Sequence, residues 1–121
     1  MSTVAFILVL IVAAEHLYIM ILEMFLFGTP VFKRTFRTPD SLMRDRNVKV
    51  MMANQGLYNG FLAAGLLWGL FFAGDSGRSI QLFFVCCVII AAWFGGFTAQ
   101  RSIIVKQGLP AMAALVFLLL S

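Results

Sequence analysis

Residues 3–27 form one apolar run, interrupted by Glu15, His16 and Glu23. Coiled as a helix at about 1.5 Å per residue, such a run is long enough to cross a hydrocarbon layer of about 30 Å. No basic leader precedes it and its carboxylates do not suit a cleaved signal peptide, so a retained span is expected. Three further apolar runs follow, at about residues 50–73, 80–100 and 104–121. The chain is 62% hydrophobic and only 12% charged, against roughly 45–50% and about 25% in soluble domains. Too few polar side chains remain to cover a water-facing surface. The expected fold is all-α, a four-helix transmembrane bundle forming a single domain over residues 1–121.

The charges lie between the runs. A basic connector at about residues 28–49 holds Lys33, Arg34, Arg37, Arg44, Arg46 and Lys49, together with Asp40 and Asp45. Arg101 and Lys106 separate the last two runs, and Arg78 stands alone between the second and third. Four spans put eight of the nine basic residues on one side, Arg78 being the exception. The positive-inside rule makes that side cytoplasmic and places both termini outside it. A multi-pass protein of the inner (cytoplasmic) membrane is therefore expected, with the lipid bilayer as a partner. The net charge of +4 suits anionic headgroups and gives no reason to expect nucleic acid.

Local signals refine the boundaries. Gly28, Thr29 and Pro30 are expected to end the first helix. Thr38-Pro39-Asp40 reads as the start of the second, with Thr38 as N-cap and Pro39 at the first helical position. Gly74-Asp75-Ser76-Gly77 is a turn. The fourth run is short if it begins at Gly108 or Pro110, and adequate if it begins near Ile103. Adjacent Cys86 and Cys87 fit no zinc or redox spacing and read as small packing residues.

The informative residues are polar ones inside apolar runs. Lipid offers them no hydrogen bonds, and a mid-membrane carboxylate costs about 2.5–3.5 kcal/mol even on mild scales. Span one carries EHLYIMILEM, residues 15–24, and span two carries NQGLYNG, residues 54–60. In an antiparallel hairpin Glu23 and Asn54 lie at similar depth, while Glu15 and His16 lie deeper, about level with Asn59. At ~100° per residue His16 and Glu23 share a face of span one. Gly56, Gly60 and Ala64, and again Gly65 and Gly69, form rows that allow close helix approach. The candidate binding residues are Glu15, His16, Tyr18, Glu23, Asn54, Gln55, Tyr58 and Asn59.

These two motifs, with QGLPAMAAL at residues 107–115, carry a resemblance over nearly the whole chain. The sequence resembles the small bacterial membrane family known as domain of unknown function 1304. The resemblance implies a four-helix integral membrane protein. It implies no activity, cofactor or catalytic residue.

Three functions fit the pattern. The first is binding or transport of a small molecule or ion through a protonatable Glu, in a homodimer since four short helices enclose little space. The small multidrug-resistance transporters share that general plan without sharing motifs. The second is a membrane-embedded enzyme on a lipophilic substrate, with Glu15 or Glu23 as base and His16 or Tyr58 as acid. A metal-assisted version draws on Glu15, His16 and Glu23, although the side chains of adjacent Glu15 and His16 diverge by ~100°. The third is a structural or regulatory subunit docked through its small-residue rows. The first is the reading the residues favour.

Overall fold

The structure, a computed structural model, describes residues 2–121. It is all-α, with no strand among the described residues. Helix α1 spans Thr3–Phe25, α2 Pro30–Phe36, α3 Asp40–Met43, α4 Arg46–Phe71, α5 Gly77–Thr98 and α6 Leu109–Leu120. Thr3–Phe25 and Gly74–Thr98 are long and apolar enough to cross a membrane, and Ile104–Leu120 is apolar but shorter. The chain packs as two compact units. One holds residues up to Glu15 together with Leu62–Ser121, and the other holds His16–Phe61.

In the first unit the buried positions follow helical spacing. Ala5, Val9, Val12 and Ala13 of α1, Leu66 of α4, Val85 and Val88 of α5, and Ala111, Ala114 and Leu118 of α6 share one core. Residues three and four apart lie on the same side of a helix, so each element turns one stripe inward. Glycines bring α4 and α5 together. A Cβ at Gly69 would stand 2.8 Å from Gln81 Cγ and 3.1 Å from both the Gln81 nitrogen and the Gly77 oxygen. Across this contact the buried Gln81 amide donates to the Gly69 carbonyl at 3.0 Å. Arg78, the lone base between the second and third apolar runs, donates from Nη2 to the Leu118 carbonyl at 3.1 Å. Its positive charge thus meets the negative end of α6.

The last helix is longer than its α6 segment. A π-helical stretch, Ile104–Gly108, precedes α6, and the Leu109 N–H bonds to the Ile104 carbonyl. Pro110 accounts for the wider turn, since it has no N–H and its ring crowds the carbonyl four residues back. The helix thus begins near Ile103, the earlier of the two starts considered from sequence.

In the second unit three boundaries differ from expectation. Thr29 and Pro30 do more than end α1: they start α2, with Thr29 Oγ1 accepting from the Phe32 N–H at 3.4 Å. Gly28, at φ +84°, supplies the left-handed residue this tight junction needs. Thr38 is not an N-cap. Pro39 takes that place for the four-residue α3, with no side-chain cap. The long helix instead starts after Asp45, whose carboxylate accepts from the Asn47 N–H at 2.8 Å and the Val48 N–H at 3.4 Å. An aspartate bonds two N–H groups and meets the positive helix end, an advantage threonine lacks. Lys33 pairs with Asp40 at 2.5 Å and holds its carboxyl below the usual range.

The α4–α5 contact yields a direct test. Gly69→Leu forces the backbones apart at the Gln81 bond and should destabilise the protein by about 1–3 kcal/mol. Ala91→Leu, on the exposed side of α5, should stay within about 0.5 kcal/mol. Thermal unfolding in detergent compares the two.

Candidate functional site

NQGLYNG places two kinds of residue on two adjoining faces of α4. Gln55 and Asn59 are four apart and share one face, and Gly56 and Gly60 share the next. The glycines set the distance to α1. A Cβ at Gly56 would meet Met24 Cγ at 2.7 Å, Glu23 Cβ at 3.0 Å and the Met20 carbonyl at 3.2 Å. A Cβ at Gly60 would meet Met20 Sδ at 2.6 Å. Any larger residue at Gly56 would push α4 off the stretch of α1 that carries Glu23.

At that distance the two amides reach the carboxylate. Gln55 Nε2 donates to Glu23 Oε2 at 2.6 Å, and Asn59 Nδ2 donates to Glu23 Oε1 at 2.6 Å. Each carboxylate oxygen therefore has its own donor, and both donors are neutral. Glu23 has no exposed surface. His16, on the same side of α1 by helical spacing, is 1% exposed.

The other candidates sit elsewhere. Tyr18 and Tyr58 are 50% and 63% exposed, and Asn54 is also on the exposed side. The Tyr58 ring packs at a tilt against Phe61, with centroids 6.0 Å apart. Glu15 belongs to the first unit, where its Oε1 is buried without a hydrogen-bond partner. Asn59 meets Glu23, although helical depth alone had set it level with Glu15 and His16. Side chains on a helix lean toward its N-terminus, so Asn59 reaches back along α4. Among the described residues no group of three His, Cys, Asp or Glu side chains is placed to hold a metal ion. Sequence reasoning passed over Gln81, a 2%-exposed amide whose signal was a lone polar residue in an apolar run.

The arrangement accommodates a proton. A carboxylate accepts two hydrogen bonds, as Glu23 does here. A carboxylic acid has one proton to donate, and a terminal amide that turns over presents its oxygen to receive it. The two amides can thus keep a hydrogen bond to Glu23 whether it is a carboxylate or a carboxylic acid.

Asn59→Leu leaves one oxygen of a buried carboxylate without a donor and should cost about 1.5–3 kcal/mol. Glu23→Leu combined with Asn59→Leu removes both partners and should recover much of that loss. Unfolding of the two variants in detergent gives the comparison, and equal losses would mean the bond is not formed.

The chain was compared with known proteins. The family described as "Protein of unknown function (DUF1304)" matches residues 10–119. "Uncharacterized protein YpaA" of Lactococcus lactis subsp. lactis (strain IL1403) is 33% identical over 116 residues, covering 96% of this chain and 97% of that protein. No solved structure matches significantly. Nearly the whole chain, including Glu23, Gln55 and Asn59, lies within the matched range, and the protein belongs to the DUF1304 family.

Proposed function

We propose that this protein is a four-span protein of the cytoplasmic membrane in which Glu23 binds and releases a proton, coupled to the binding or transport of a small molecule or ion. The observation that carries the reading is the wholly buried Glu23 carboxylate held by two neutral amides of α4. A structural contact would be made more cheaply by an amide or an apolar side chain, because a buried charge costs more than either.

Gln55 connects this carboxylate to the outside. Its residue is exposed while its amide grips Glu23, and Asn54 and Tyr58 flank it on the exposed side of α4. A ligand that engages Gln55, Asn54 or Tyr58 competes for the amide that Glu23 uses. Ligand occupancy and proton occupancy are then linked, and the linkage is reciprocal.

The four-span topology draws support from two features. Phe72, Ile90, Phe94, Phe97 and Leu120 are each at least 70% exposed, large apolar side chains that a lipid surround would cover. The bases also divide unevenly, with Arg78 alone between the second and third apolar runs. Both termini then lie on the non-cytoplasmic side, and two copies side by side would enclose a route that one chain cannot.

Infrared difference spectroscopy of the protein in lipid nanodiscs tests the proton. A protonated-carboxyl band should grow on acidification in the wild type, lose one component in Glu23→Gln and shift in Asn59→Leu. Superimposable spectra from wild type and Glu23→Gln at every pH would end the proposal.

A further inference from the structure

The second unit carries a surface that the Glu23 clamp does not use. On α2 the buried Phe32 meets Phe27 edge-on, centroids 5.0 Å apart, and packs at a tilt against Phe36, 4.7 Å apart. Lys33, Arg34 and Arg37 are exposed. At ~100° per residue Lys33 and Arg34 centre about 130° around the helix from Phe32 and Phe36, and Arg37 follows as the left-handed C-cap. The short helix is therefore amphipathic, with its rings turned into the unit and its bases turned out.

The bases are largely uncompensated. The connector's two carboxylates are both engaged: Asp40 pairs with Lys33, and Asp45 caps α4. Arg34, Arg37, Arg46 and Lys49 are exposed, and among the described residues no salt bridge involves them. Arg46 and Lys49 also begin α4, whose first turn holds no acid. The positive end of a helix favours acidic residues. Basic residues there run against the local preference, and the one acid at this end, Asp45, is occupied by the Asn47 and Val48 N–H groups, so negative charge outside the chain would favour them.

The neighbouring surface identifies that charge. Phe25 at the end of α1 and Met51 near the start of α4 are 71% and 68% exposed. Met51 thus sits within one or two turns of Arg46 and Lys49 on α4, and Phe25 adds a second exposed apolar side chain in the same unit. Hydrocarbon bordered by anions is the chemistry of an acidic phospholipid leaflet.

We propose that α2 and the first turn of α4 form a docking surface for anionic phospholipid headgroups, with Arg34, Arg37, Arg46 and Lys49 as the contacting bases. The proposal rests on the membrane-spanning reading of the chain. It adds a lipid preference that the Glu23 clamp does not require.

The test uses the full chain in nanodiscs of phosphatidylcholine, alone or mixed with one-third phosphatidylglycerol. Hydrogen exchange is followed at the amides of residues 30–49. Exchange should be at least about fivefold slower in the anionic discs, as expected for even one engaged base. Salt at about 1 M, where screening reaches about 3 Å, should remove the difference. Arg34→Gln with Arg37→Gln should shrink it, with thermal unfolding in phosphatidylcholine discs unchanged from wild type. Equal exchange in the two discs would overturn the docking surface while leaving the proton proposal standing. Protection reproduced by soluble glycerol phosphate in phosphatidylcholine discs would make the patch a free-phosphate site and overturn it too. Failure to enter either disc would defeat the membrane reading, and this proposal with it.

Discussion

A carboxylate without exposed surface has to find its hydrogen bonds inside the protein, and Glu23 finds both on α4. Much of the second unit follows from that requirement. Two donors on one helix must be three or four residues apart to face the same point, and Gln55 and Asn59 are four apart. The helices must also lie close enough for side chains of different length to reach one residue, and Gly56 makes that room. The register of α4 against α1 is then held from two directions. Steric contact of Met20 and Met24 with Gly56 and Gly60 sets the distance, and the amides set the rotation. Neither would suffice alone. Small-residue rows permit several registers, whereas a buried charge tolerates only those that satisfy it.

The helices were legible in the sequence because their cause is simple. Apolar runs of span length, separated by Gly, Pro and charge, leave few alternatives to helix, and α1 and α5 fall close to the expected ranges. The connector was harder to read. Thr29-Pro30 and Thr38-Pro39 are the same dipeptide, yet the first caps α2 with its hydroxyl and the second does not cap. The difference lies in the residues on the C-terminal side of each dipeptide. Phe32 and Phe36 give the first segment rings to bury with Phe27, while Asp40–Met43 buries nothing. A capping signal is realised only where the helix it opens has something to pack against.

In the candidate site, depth was legible for the start of NQGLYNG but not for Asn59, and rotation was not legible. Residue counts from the ends of the apolar runs put NQGLYNG near Glu23. They could not decide which of four polar residues on α4 would turn toward it. Asn54 and Tyr58 differ from Gln55 and Asn59 by one position, about 100° of rotation. The glycines resolve it, since the close contact forms at Gly56 and the residues beside that contact reach Glu23. Gly56 and Gly60 were visible as a small-residue row. The missing information was which of the rows, Gly56-Gly60 or Gly65-Gly69, meets α1, and no single-chain pattern specifies a partner.

The exposed position of Gln55 bears on why the clamp uses amides at all. An arginine or lysine opposite Glu23 would fix the carboxylate in one charge state and would itself need shelter from hydrocarbon. An apolar set at all three positions would remove the charge and, by the experience of buried ion pairs, cost no stability. Two carboxamides avoid both outcomes. They satisfy the anion, adapt to the acid by turning over, and carry no charge of their own when released. One of them, Asn59, is half-sheltered, while the other opens onto the exposed side of α4 beside Asn54 and Tyr58. This asymmetry is what the proposed function draws on, since it leaves one of the two donors open to the exterior. A purely structural clamp gains from having both donors enclosed, because an exposed donor has competing partners. In the function proposed above, Gln55 is where such competition would enter, and a ligand there would act first on the hydrogen bonding of Glu23.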